Sequence, residues 1–138
     1  MPHDQLDNLV KVGKLKAESP SDQEVAGLIS SGLARLHDAG NETLSVESRF
    51  DLAYNAAHAL SLAALRRAGY RSENRYLVFQ CLKHTLDLPN EQWRVLDQAH
   101  RKRNLAEYES HLDIVDALLE ALLRTAHVVA DRLHDEKQ

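Results

Sequence analysis

From His100 to His111 the chain reads HRKRNLAEYESH. Arg101, Lys102 and Arg103 form its densest basic cluster, Asn104 and Tyr108 add hydrogen-bonding side chains, and a histidine stands at either end. A guanidinium keeps its charge at any physiological pH and grips phosphate oxygens through two parallel N–H bonds. Imidazole is the side chain whose ordinary pKa lies nearest neutrality. Together these types suit binding of a phosphate-bearing ligand. Beyond binding, they suit proton transfer beside a stabilised negative charge.

Spacing decides which of them can meet. Val95, Ala99, Arg103 and Ala106 recur at steps of four, four and three, which is one helix face. Three of the four are apolar, so the face packs inward. Arg103 then stands where an apolar residue is expected, and its charge must find a carboxylate, carbonyls or a phosphate. A neighbouring line runs through Trp93, Asp97, His100, Asn104 and Tyr108, so Arg103, Asn104 and Tyr108 converge at one edge. The structural alternative is that Arg103 makes a buried ion pair, with Asn104 and Tyr108 bonding to a neighbouring helix. Ser110 and Asp113 have the spacing of a capping box. The helix is therefore expected to break near Glu109 and a new one to start at His111. Free N–H groups there suit phosphate and disfavour a charged His111.

The elements that must hold this segment read as helices. The chain has 138 residues, the length of one domain, and 43% hydrophobic residues, enough for a single core. With 5 glycines, 3 prolines and no alternating Val/Ile/Thr runs, it is expected to be all-α, an up-and-down bundle of four to five long antiparallel helices. Its core is expected over about 22–133, preceded over 1–18 by a short, mobile N-terminal helix. Ser19-Pro20-Ser21-Asp22 opens a second helix that stops at Gly40. Ser45 opens the central one, whose middle from Leu52 to Leu65 is apolar almost all round and so should be buried. Asp51, Asn55 and His58 form its polar strip, which either is its solvent face or turns towards the basic stretch, the solvent face being the expectation. Further helices are expected from Glu73 to Leu86, from Asn90, and from Leu112 to Leu133.

Net charge is −4, so nucleic-acid binding has to come from a local patch. Cys81 is the only cysteine and lies in an apolar run, which excludes a disulfide framework or a cysteine-rich zinc site within one chain. The residues contain no glycine-rich phosphate loop, HExxH pair or GxSxG elbow, and neither a metal nor a cofactor is expected. The polar start MPHDQLDNL and the lack of a long apolar run predict a soluble cytoplasmic protein with no membrane contact.

The central helix with SRFDLAYNAAHALSLAAL, the GYR after it and the RKRNLAEYE segment, in this order, resemble the HEPN superfamily, closest to its small stand-alone bacterial members. The likeness covers about Asp22 to Leu133. It implies a bundle of four or five helices that pairs as a homodimer, with the motif helices of both chains across one cleft. It implies RNA or nucleotide binding, a metal-independent endoribonuclease activity of toxin type, and a small nucleotidyltransferase-type antitoxin as partner. The family's pattern is an arginine, often followed by a polar residue, with four to six residues between the arginine and a histidine. Arg103 and Asn104 fit its first part. Tyr108 stands in the histidine's place, and His111 lies just beyond the spacing. The resemblance thus carries binding further than catalysis. The site it implies has Arg103, Asn104, Tyr108 and His111 as catalytic candidates and His100, Arg101 and Lys102 as RNA- or nucleotide-binding residues. The contrasting expectation is a non-catalytic helical interaction module whose Arg103 is structural.

Overall fold

Four long helices among the described residues carry the bundle, and capping side chains set the starts of two of them. In the computed structural model, residues 3–109 and 116–136 are described. Along the chain come α1 (Asp4–Lys11), β1 (Lys16–Ala17), α2 (Asp22–Ala39), α3 (Val46–Arg67), β2 (Tyr70–Arg71), α4 (Arg75–Gln80), α5 (Leu82–Thr85), α6 (Asn90–Glu109) and α7 (Asp116–Glu136). The Ser21 hydroxyl accepts from the Glu24 amide at 3.1 Å, and the Ser45 hydroxyl from the Ser48 amide at 3.1 Å. Asn74 does the same for the Leu77 amide at 3.0 Å and starts α4. Each cap satisfies an amide that the first turn of a helix leaves without a partner.

The all-α bundle expected from the sequence is what forms, with α3 at its centre, packed against α2, α4, α5 and α7. Phe50, Ala53, Ala56, Ala57, Leu60 and Ala63 of α3 are fully buried. Small side chains let the neighbours come close. A Cβ added at Gly32 of α2 would lie 2.7 Å from Leu60 Cγ, so this crossing has room only for glycine. Burying a side chain such as Leu60 or Phe50 contributes about 1.5–3 kcal/mol each. From α7, Arg132 donates to the carbonyls of Leu86 and Asp87 at 2.9 and 3.0 Å and so holds the loop before α6.

Several local expectations are corrected. The N-terminal helix docks on the bundle: Leu6 is fully buried with Leu15, Leu65, Tyr70 and Val78 in a second small core. The chain between α1 and α2 forms a two-residue antiparallel ladder, Lys16 opposite Arg71 and Ala17 opposite Tyr70, too short to carry a strand pattern. The helix expected from Glu73 to Leu86 starts at Arg75 and is interrupted at Cys81. The proposed capping box at Ser110–Asp113 and the start of the last helix lie outside the described residues.

Arg66, at the end of α3, fastens the ladder. It is 2% exposed and binds the Glu24 carboxylate at 3.1 Å. It also donates to the carbonyls of Glu18, Ser19 and Tyr70 at 3.0–3.1 Å. Arg71 pairs with Glu18 at 2.8 Å and with Glu24 at 3.1 Å. A buried guanidinium is tolerated here because its donors meet a carboxylate and carbonyls together. Nearby, Tyr70 donates its hydroxyl to Asp7, and burial followed by that carboxylate pushes its pKa up to about 12.

Candidate functional site

The residues able to do chemistry meet where α6 and the start of α4 face α3. Tyr54 is at the centre, 1% exposed in the middle of α3. Its ring stands near two guanidiniums: Arg103 lies 4.8 Å and Arg75 5.7 Å from the ring centroid. A cation held over an aromatic face is attracted by the ring's quadrupole, which helps to hold two like charges near one another.

Their remaining partners differ. Arg103 on α6 stands 3.7 Å from the Asp51 carboxylate, with side-chain exposures of 30% and 57%. This is a loose, solvated pair, and such pairs contribute little. Arg75 donates to Asn55 Oδ1 at 3.0 Å. Asn55 in turn donates to the Asp51 carbonyl at 2.9 Å, which fixes the amide so that its oxygen faces Arg75. Among the described residues no carboxylate pairs with Arg75. Among the described residues the two guanidiniums therefore have one distant carboxylate between them.

His100 is built into the same cluster. Its Nδ1 lies 2.9 Å from the Tyr54 hydroxyl and its Nε2 3.1 Å from Asn104 Nδ2. With Asn104 donating to Nε2, the ring is neutral and its Nδ1–H donates to Tyr54. Its surroundings agree: burial lowers the His100 pKa, and Arg75, Arg103 and Arg101 act in the same direction against Asp97. Tyr76 and Phe79 fix the ring's position, with centroids 5.2 and 6.3 Å away. The site thus offers fixed positive charge, a neutral imidazole and an amide. That set can bind a phosphate and take up a proton beside it.

Of the candidates read from the sequence, the structure brings together His100, Arg103 and Asn104. Arg101 stands at the rim, bonded to Asp97 at 3.0 Å with its side chain 73% exposed. Lys102 is joined to the cluster by no hydrogen bond or ion pair among the described residues. Tyr108 is on the last turn of α6, but its side chain, like the whole of His111, lies outside the described residues. The polar strip Asp51, Asn55 and His58 is a correction. It faces the basic groups of α4 and α6, because Tyr54, between its members, packs against His100. Tyr54 and Arg75 were not anticipated from the sequence. The available signal was one hydroxyl-bearing aromatic in an alanine-rich buried helix, three residues from Asp51 and four from His58. Among the described residues no group of three or more His, Cys, Asp or Glu is placed to hold a metal, and no helix is long and apolar enough to cross a membrane.

His58 adds a pH-sensitive element. Burial, then the charges of Arg75 and Arg103, lower its pKa from 6.5 to about 4. Between these values the unfolded chain takes up the proton and the folded one does not. Stability should therefore decline as pH falls from about 6.5 to 4. Urea unfolding across this range is expected to show that decline, with a smaller slope in His58→Leu. An unchanged slope in the variant would show that His58 does not titrate as its surroundings dictate.

Comparison with protein-family models, with curated proteins and with solved structures finds nothing that matches this chain.

Proposed function

We propose that this protein binds RNA or a nucleotide through phosphate contacts at Arg75 and Arg103, as a HEPN-like helical bundle acting as a homodimer. The observation that carries this reading is the pair of guanidiniums gathered on Tyr54 with, among the described residues, only the loosely held Asp51 to offset them. Like charges brought together at the edge of a low-dielectric core repel, and an arriving phosphate relieves that repulsion. In a chain of net charge −4 this is a local arrangement and not a generally basic surface.

We further propose a metal-independent endoribonuclease reaction of toxin type at this cleft. Asn104 turns from His100 to the phosphate, and the freed Nε2 of neutral His100 takes the proton of a ribose 2′-hydroxyl as its oxygen attacks the adjacent phosphorus. Arg103 stabilises the charged phosphorane, Asn104 orients it, and the bond to the 5′-oxygen breaks as an acid protonates that oxygen. Tyr108 and His111, the latter from either chain of a dimer, are the candidates for that acid. A nucleotidyltransferase-type antitoxin is the partner this activity calls for, in a bacterial cytoplasm. The contrasting reading is a non-catalytic interaction module, and the contact of Arg103 with Asp51 of its own chain favours it.

RNA binding and cleavage in EDTA, for wild type and Arg103→Ala, decide between the readings, with light scattering reporting the dimer. The expected result is binding and cleavage by wild type and loss of both in a folded variant. Binding without cleavage by wild type would leave a non-catalytic RNA-binding protein. A folded variant that binds and cleaves as the wild type does would leave Arg103 a structural residue.

A further inference from the structure

Sharing Arg75 with the proposed phosphate site is a cavity of about 300 Å³ lined by His58, Leu62, Arg66, Arg71, Ser72, Glu73 and Arg75. Its charged walls are not equivalent. Arg66 and Arg71 are already neutralised by Glu18 and Glu24, and Glu73 brings a carboxylate to the lining. A second phosphate is therefore disfavoured here. The other surfaces are an aliphatic wall from Leu62, the Ser72 side chain, the imidazole of His58 and the flat Arg75 guanidinium, which the cavity shares with the cluster on Tyr54.

His58 is the informative member. Its Nε2 is covered and has no hydrogen-bond partner among the described residues, so a ligand in the cavity meets it when the ring turns towards the cavity. Buried polar nitrogens are rarely left so, because each lost partner costs about 1–3 kcal/mol. The Phe79 ring, 6.1 Å away and edge-on, gives this imidazole no polar contact. A wall combining an apolar face, a planar cation and a neutral imidazole matches a heterocycle. Its flat faces pack and stack, and its edge exchanges one or two hydrogen bonds.

We infer that this cavity is a nucleobase subsite: a nucleotide places its phosphate on Arg75 and Arg103 and its base against Leu62 and His58, with Arg75 serving both halves. The inference rests on the phosphate-binding reading above and adds to it a preference for nucleotides over sugar phosphates. It also assigns His58 to base recognition.

The test is calorimetric titration at neutral pH with ribose 5-phosphate and with the four nucleoside 5′-monophosphates, on wild type, His58→Leu and Arg75→Ala. The expected result is that at least one nucleotide binds wild type tenfold or more tighter than ribose 5-phosphate. His58→Leu should erase that difference while leaving ribose 5-phosphate binding as it was, and Arg75→Ala should weaken both ligands. Imidazole ¹⁵N spectra of wild type give a readout that does not depend on any variant folding. The His58 Nε2 resonance should shift with the nucleotide and stay in place with ribose 5-phosphate. Equal binding of sugar phosphate and all nucleotides, a difference that survives His58→Leu, or a His58 resonance indifferent to the nucleotide would each overturn the base subsite while the phosphate site stands. If no phosphate-bearing ligand binds wild type, both readings fall together.

Discussion

Arg66→Met should destabilise the fold by about 3 kcal/mol, the largest effect expected of any single substitution outside the apolar core. Methionine can fill much of the space, so the loss is mainly of hydrogen bonds. The carbonyls of Glu18, Ser19 and Tyr70 lose the donor that reaches them at 3.0–3.1 Å. Glu24 loses one of its two cations, but Arg71 stays at 3.1 Å and the carboxylate is 32% exposed, so Arg71 and water take over part of that contact, which places the cost at the lower end for a buried pair. Urea unfolding measures the loss. Amide exchange locates it: Glu18, whose N–H donates to the Gly69 carbonyl at 3.0 Å, should exchange faster first. A pH dependence follows as well. The hydrogen bond from Arg66 is the main reason that the Glu24 carboxyl titrates below its ordinary 4.5. The unfolded chain then binds that proton more readily than the folded one. The contribution is thus complete above about pH 4.5 and is lost as pH falls through the lowered value. In Arg66→Met this acid-sensitive component should shrink, whereas the decline between 6.5 and 4 assigned to His58 should stay.

Arg75→Ala should weaken binding of a short single-stranded RNA about 30-fold, which corresponds to about 2 kcal/mol. The size reflects its position. Arg75 is held by Asn55, a neutral partner, so none of its charge is spent on a carboxylate among the described residues, and it borders both the Tyr54 cluster and the adjoining cavity. Arg75→Lys should restore only part of the loss, because an ammonium cannot make the planar two-bond contact that a guanidinium offers to phosphate. The Arg75→Ala, Arg103→Ala double variant should lose less than the sum of the single losses. Groups that share one ligand atom set, and that repel each other in its absence, are not independent. Additive losses would place the two arginines on separate ligands.

What was legible in the sequence was what depends on neighbours along the chain. The caps at Ser21 and Ser45, the burial of the alanine-rich α3 and the helical register that sets His100 beside Asn104 all follow from local chemistry and period. What was not legible depends on how elements meet. Arg66 stands in RRAGYR at a helix end, where an arginine is ordinarily solvated. It is buried only because the segment before α2 folds over it. The β1–β2 ladder has the same origin, since two residues carry no strand pattern. Asp51, Asn55 and His58 gave their strip correctly, but its direction was set by rings on two other helices, Phe79 and His100, packing against Tyr54. Arg75 carries no periodic signal at all. Its role comes from the turn that starts α4 opposite Asn55.

The most direct test of the central claim, that two guanidiniums at Tyr54 bind phosphate, is the salt dependence of RNA binding. Each phosphate neutralised on a single strand contributes a slope of roughly −0.7 to log K against log salt concentration. Fluorescence anisotropy with a labelled single-stranded RNA should therefore give a slope of about −0.7 for wild type, from the one phosphate that Arg75 and Arg103 share, and a nearly flat dependence for the Arg75→Ala, Arg103→Ala double variant. Binding that is absent, indifferent to salt, or equally steep in both proteins would contradict the claim and leave Arg75 and Arg103 as parts of the scaffold.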